Sequence, residues 1–108
     1  MAKEIAIPLT FVALKTIQEK GEAENEDITR IALRLRKEGL NLGAINYHYT
    51  PGGPCSPEVQ ATLGILLSQD DIEELSPAKM TSKGEGHLRE LEETVREDLP
   101  RIESIIKH

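Results

Sequence analysis

The stretch Gly52-Gly53-Pro54-Cys55-Ser56-Pro57-Glu58-Val59-Gln60-Ala61-Thr62-Leu63-Gly64-Ile65-Leu66-Leu67 decides how the rest of the chain is read. Gly52 and Gly53 tolerate positive φ, and Pro51 and Pro54 fix their own φ, so residues 51–54 form a turn rather than helix interior. Ser56 is placed to cap a helix, with Pro57 at the first helical position, where a missing N–H costs nothing. Glu58 puts negative charge in the first turn, where the helix dipole favours it. Val59, Leu63, Leu66 and Leu67 follow at i, i+4, i+7 and i+8, one apolar face of an α-helix. That leaves Glu58, Gln60, Thr62 and Gln69 facing mostly outward. Gly64 costs about 1 kcal/mol relative to Ala in mid-helix, so a close neighbour is expected there.

Upstream, Ile5, Ile7, Pro8 and Leu9 lead into Phe11, Val12, Leu14 and Ile17, a helical spacing ended by Gly21. The acidic run Glu22–Glu26 is a surface turn, and Asn25 or Asp27 caps the next helix. Ile28, Ile31, Ala32 and Leu35 give that helix its apolar face, with Gly39 just past its end. Arg30, Arg34 and Lys37 lie along one of its sides. Ile45, Tyr47 and Tyr49 alternate with Asn46 and His48, an extended signal. Downstream, Asp70 and Asp71 oppose the dipole at a helix C-terminus. Either that helix ends earlier or the two carboxylates are well solvated. Ile72–Leu75 and Ala78–Thr81, joined by Ser76-Pro77, read as a small hairpin.

Beyond it, Leu88, Leu91, Val95, Leu99, Ile102, Ile105 and Ile106 run at helical spacing to the end of the chain. Pro100 interrupts them and either kinks one helix or starts another capped by Asp98. One straight helix here is about 40 Å long, more than the core of a 108-residue chain covers. Such a stripe marks an association surface, which gives Leu91, Val95, Leu99, Ile102, Ile105 and Ile106 as a homodimer interface. The alternative is that residues 101–108 fold back onto helix 9–20.

The totals bound the class. With 30% charged and 38% hydrophobic residues but only 3% aromatic, the chain suits a single helical domain with an aliphatic core. No apolar run approaches the roughly 20 residues that span a bilayer, and Met1-Ala2-Lys3-Glu4 lacks the apolar centre of a signal peptide. The single Cys55 has no disulfide partner in the chain and fits a reducing, cytoplasmic location. His48, Cys55 and His87 lack metal-ligand spacing, and no nucleophile or phosphate-loop motif occurs. No cofactor, metal or enzymatic activity is expected. The net charge of −6 counts against nucleic acid as a partner.

Turn, helix, hairpin and then Met80-Thr81-Ser82-Lys83-Gly84 occur in the order of a winged helix-turn-helix, and Asp27 to Leu91 resembles prokaryotic regulators of that family. The added C-terminal helix is similar to that of PadR-like regulators. The resemblance implies a mainly α fold with a small β-hairpin wing and a long C-terminal helix. Residues 1–84 then form the winged unit and residues 85–108 the dimerisation helix of one overall domain. It further implies a homodimeric transcriptional regulator binding double-stranded DNA. Helix 56–69 would enter the major groove with Gln60 and Thr62 reading base edges, while Arg30, Arg34, Lys37, Lys79 and Lys83 neutralise phosphates. The departure from that pattern is the absence of Lys or Arg between Ser56 and Gln69. The alternative is a winged-helix protein-interaction module that uses its acidic surface and the Tyr47/Tyr49 region.

Overall fold

The fold is arranged around one helix that is covered on every side through its middle. The computed structural model describes residues 6–107; Met1 to Ile5 and His108, and with them the reading of the amino terminus, lie outside the described residues. Five helices, α1 (Leu9–Lys20), α2 (Asn25–Lys37), α3 (Pro57–Ser68), α4 (Ser82–Thr94) and α5 (Leu99–Lys107), dominate. Two antiparallel hairpins join them, β1 (His48–Thr50) with β2 (Gly53–Cys55) and β3 (Ile72–Leu75) with β4 (Ala78–Met80). Every residue of α1 from Phe11 to Ile17 is buried. The helix packs against α2, α3, α4, α5 and β4, the all-round burial expected of a central core helix.

Complete cover creates a polar problem at Lys15 and Thr16. Thr16 returns its hydroxyl to the Val12 carbonyl at 2.7 Å. Lys15 is only 3% exposed, and its ammonium meets Glu92 of α4 at 2.8 Å and Glu103 of α5 at 2.9 Å, with Gln18 accepting a third bond at 2.9 Å. All three ammonium donors are thereby used. Burial alone would lower the Lys15 pKa, but the two carboxylates outweigh it and hold the amine above its ordinary value. One lysine on α1 thus fastens both C-terminal helices.

The helix ends follow local chemistry. α1 stops at Gly21 and α2 runs to Glu38 and Gly39, both glycines with positive φ. After α2, Gly39 N–H bonds the Arg36 carbonyl and Leu40 N–H bonds that of Leu35, a Schellman closure that buries Leu40. α3 ends in the same way with Asp70 as the positive-φ residue, its N–H on Leu67 and that of Asp71 on Leu66. The tension expected from two carboxylates at this end is resolved by an early stop at Ser68 and by pairing: Asp71, 2% exposed, lies 2.8 Å from His87 Nδ1 on α4.

The β3–β4 hairpin is tied to the body through Ala23, which exchanges both backbone hydrogen bonds with Ala78 at 3.1 and 2.8 Å. At its base Thr81 caps α4 by accepting from Gly84 N–H at 3.1 Å, while its own N–H donates to the Asp71 carbonyl at 3.0 Å. That carbonyl sits directly over the Gly84 Cα, where a Cβ would overlap it. The Thr-x-x-Gly signal therefore has two physical parts: a cap, and a position with no room for a side chain.

The long C-terminal helix is not formed. α4 ends at Thr94, Asp98 N–H bonds the Val95 carbonyl, and α5 starts at Leu99 with Ile102 N–H on the Asp98 carbonyl. Pro100 begins a helix here rather than kinking one. The expected boundary at residues 84/85 falls inside α4. The premise for a dimer stripe is corrected with it: Val95, Ile102 and Ile106 are buried within the chain, and Leu91, Leu99 and Ile105 are half-buried against the same core. The fold-back of α5 onto α1 and α2 supplies the cover that a second copy was expected to give.

Two glycines of α4 are expected to respond oppositely to alanine. Gly84→Ala should destabilise by about 1–3 kcal/mol through overpacking against backbone. Gly86→Ala, with nothing near its Cα, should stabilise by roughly 0.5–1 kcal/mol. Urea denaturation midpoints check both, and equal shifts would show that Gly84 is not sterically constrained. The raised Lys15 pKa makes its contribution complete below pH 10.5 and lost as pH rises through the folded value. Thermal melting across that range should lose stability more steeply in the wild type than in Lys15→Met; parallel profiles would remove Lys15 from the alkaline response.

Candidate interaction face

The position of α3 is set by a buried amide. Asn25, in the first turn of α2, donates from Nδ2 to the Ser56 carbonyl at 2.9 Å and accepts the Ser56 N–H on Oδ1 at 3.0 Å. The side chain thus pairs with the Ser56 backbone as a neighbouring strand would. Thr29 Oγ1 donates to the same Oδ1 at 2.8 Å and holds the amide in place. Ser56 then caps α3, its Oγ accepting from the N–H groups of Glu58 and Val59. Glu58 receives Asn46 N–H at 2.8 Å and Asn46 Nδ2 at 3.1 Å, and these bonds hold its carboxyl below the usual glutamate range. The long connector between α2 and α3 is therefore fastened to the first turn of α3.

Beyond Glu58, what α3 offers outward is uncharged: Gln60, Ala61, Gly64, Ile65 and Ser68. Ile65 is 51% exposed. Gly64 has no neighbour within 4 Å of where its Cβ would lie, so the expected close contact within the chain does not occur. The β3–β4 hairpin beside α3 shows Glu73, Glu74 and an exposed Leu75.

The cations gather elsewhere. β1 and β2 fold about Pro51 and Gly52 and pack their hairpin onto α2. Arg30 secures it, donating from Nη2 to the Gly52 carbonyl at 3.2 Å and lying 3.6 Å from Asp27. Between helix and hairpin lies an open cleft of about 280 Å³ lined by Arg30, Leu33, Arg34, Lys37, Tyr49 and Pro54. Tyr49 is 75% exposed and meets Tyr47 edge-on at a ring separation of 5.7 Å. Register places His48 opposite Cys55, and Cys55 is a half-buried free thiol. Among the described residues no group of three metal-ligating side chains converges, and no helix is long and apolar enough to cross a membrane.

The residues expected to face DNA are thus not one set. Arg30, Arg34 and Lys37 share the α2 cleft. Lys79 lies on β4, 3.9 Å from Glu74, and Lys83 is exposed in the first turn of α4. Gln60 is exposed, with its Oε1 3.3 Å from Asn25 Nδ2. Thr62 is corrected: it is 8% exposed and its hydroxyl bonds back to the Glu58 carbonyl at 2.9 Å, so it has no free group for a base edge. Its position i+3 from Val59 and one before Leu63 puts it on the inward side of the apolar face. Sequence reasoning missed Asn25 as the bracket of α3, the Asp71–His87 pair and the buried Lys15. Only Lys15 left a local trace, a lone charge inside the apolar run Phe11 to Ile17.

Breaking the Asn25 bracket should loosen α3. Asn25→Asp turns the donor facing the Ser56 carbonyl into an acceptor and should cost more than Asn25→Ala, itself about 2–3 kcal/mol from unsatisfied buried backbone groups. Ser56→Ala should cost about 1 kcal/mol through the lost cap. Chemical denaturation ranks the three, and an Asn25→Asp as stable as the wild type would rule out the bracket. Compared with protein-family models, characterised proteins and solved structures, the chain finds no match.

Proposed function

We propose that the chain is a winged-helix protein-interaction module, non-enzymatic, in which α3 and the β3–β4 wing present a surface to another protein. The winged-helix reading is supported by the order α1, α2, α3, hairpin and by the Ala23–Ala78 bridge, which adds a third backbone segment to the wing. The observation that carries the choice of partner is the charge of this surface. α3 shows no cation, and the wing sets Glu73 and Glu74 against Lys79. Phosphate affinity comes from several Lys or Arg contacts, and two carboxylates on the wing repel a polyanion. Ile65, exposed next to Gly64 on α3, and Leu75, exposed on the wing, suit contact with apolar protein groups.

DNA binding is the second reading, favoured by one observation: Arg30, Arg34 and Lys37 converge on the α2 cleft. On that reading contact runs through α2 and the β1–β2 hairpin, with Gln60 at its margin and Lys79 and Lys83 as outlying phosphate contacts. A homodimer is compatible with either, but through a surface other than the buried Val95, Ile102 and Ile106.

A salt-titrated anisotropy assay with a random duplex pool separates the readings. The module predicts no saturable binding even at low salt. Saturable binding that weakens steeply with salt, and is lost when Arg34→Gln is combined with Lys37→Gln, would replace the module with a DNA-binding regulator.

A further inference from the structure

The α2 cleft combines two features on an acidic protein: an apolar floor and a basic rim. Leu33, Pro54 and the exposed face of Tyr49 form the floor. Arg34 and Lys37 stand on the rim and, among the described residues, neither takes part in a salt bridge. Arg30 is engaged with Gly52 and Asp27 and serves mainly to hold the hairpin that makes the far wall. The wall is rigid for a stated reason: Thr50 Oγ1 donates to the Gly53 carbonyl at 2.9 Å and accepts Gly52 N–H at 3.2 Å, so the turn is closed by its own side chain.

We propose that this cleft docks an acidic segment of a partner protein, which seats one apolar side chain on Leu33, Tyr49 and Pro54 and sets flanking carboxylates against Arg34 and Lys37. The proposal rests on the protein-interaction reading above and names the chemistry of its partner. Charge complementarity on two length scales favours a peptide over a nucleic acid. Locally, two free cations and an arginine suit one or two carboxylates. Globally, the chain carries a net charge of −6, and Glu26, Asp27 and Glu38 flank the cations on the same helix. A short acidic segment can place its charge inside this cationic notch. A duplex lays phosphates on both sides of it, against those carboxylates. The same background repels acidic proteins that lack the anchoring side chain, which supplies selectivity as well as attraction. Tyr and Arg are the usual anchors of such contacts, and closure by the partner would take the exposed ring of Tyr49 out of water.

The test is a backbone-amide NMR titration of the full chain with a short synthetic peptide of glutamates flanking one leucine. Two matched probes accompany it: the peptide with glutamines for glutamates, and a short duplex DNA. The acidic peptide should give saturable shifts at Leu33, Arg34, Lys37, Tyr49 and Cys55, with the glutamine peptide about tenfold weaker or more. Arg34→Gln combined with Lys37→Gln should weaken the acidic peptide about as much. Arg36→Gln, an exposed cation of α2 outside the cleft, should leave it unchanged. The comparison of peptides uses the unaltered protein, so it stands if the double variant misfolds. Equal binding of both peptides, shifts that never saturate, or an equal loss in Arg36→Gln would overturn the proposal. Tighter binding of the duplex at the same amides would also overturn it and assign the cleft to phosphate. If the peptide fails while the duplex pool also fails to bind, the cleft assignment alone is lost and the α3 surface stands.

Discussion

A side chain that imitates a backbone holds this molecule in register. Asn25 offers Ser56 one donor and one acceptor at the spacing of a peptide group, and Ser56 answers with both of its own. The exchange is buried, so no water competes for it, and either half left unmade carries a full desolvation cost. Its leverage lies in its position. Ser56 is the cap of α3, so the bond that joins two helices is also the point where the second one starts. The direction of α3 follows, and with it the placement of Gln60, Ile65 and the hairpin that α3 feeds.

That dependence explains which parts of the fold were legible in sequence. α1 and α3 were read with their caps, and α2 with its end, because capping is local: Pro8, Gly21, Gly39, Ser56 and Pro57 act within a turn of themselves, whereas the start of α2 was set at least one residue late, since its N-cap is Glu24, boxed with Asp27, and Asn25 lies inside the helix. The β3–β4 hairpin was legible for the same reason. The C-terminal stripe was not, since its periodicity is equally consistent with one long helix facing a partner and two short ones facing home. The deciding contacts lie 77 residues away at Lys15, and sequence spacing carries no record of them. The site divides in the same manner. Arg30, Arg34 and Lys37 were grouped correctly because i, i+4 and i+7 share a helix side, whereas Tyr49 and Pro54 joined them only through the packing of a hairpin. Thr62 was misread because a hydroxyl suggests solvent, yet helical Thr satisfies itself on the preceding turn.

The distribution of charge gives the molecule three distinct surfaces. The side built by α3 and the wing is neutral to acidic and contains the exposed Ile65 and Leu75. The side built by α2 and the β1–β2 hairpin is basic over an apolar floor. A third region, a cleft of about 570 Å³ where α4 turns into α5, is lined by Glu93, Arg96, Glu97, Asp98 and Arg101, and Arg101 reaches across it to the Glu38 carbonyl. Its charges are of both signs, with Arg96 3.3 Å from Glu93, so it presents no uniform field. The two outward surfaces differ in sign and in texture, and a bound partner would sense which one it had met before any side chain interlocked.

The all-round burial of α1 has a consequence for how the chain comes into being. The segment from Phe11 to Ile17 precedes much of its cover, of which Leu88, Ile102 and Ile106 lie far downstream. Because the neighbours of α1 are spread along the whole sequence, no early fragment can satisfy it. A chain that lacks α4 and α5 therefore carries a largely apolar helix whose buried lysine has lost Glu92 and Glu103. Loss of α5 alone uncovers part of that helix, so the element best hidden in the fold is the one most sensitive to a missing neighbour.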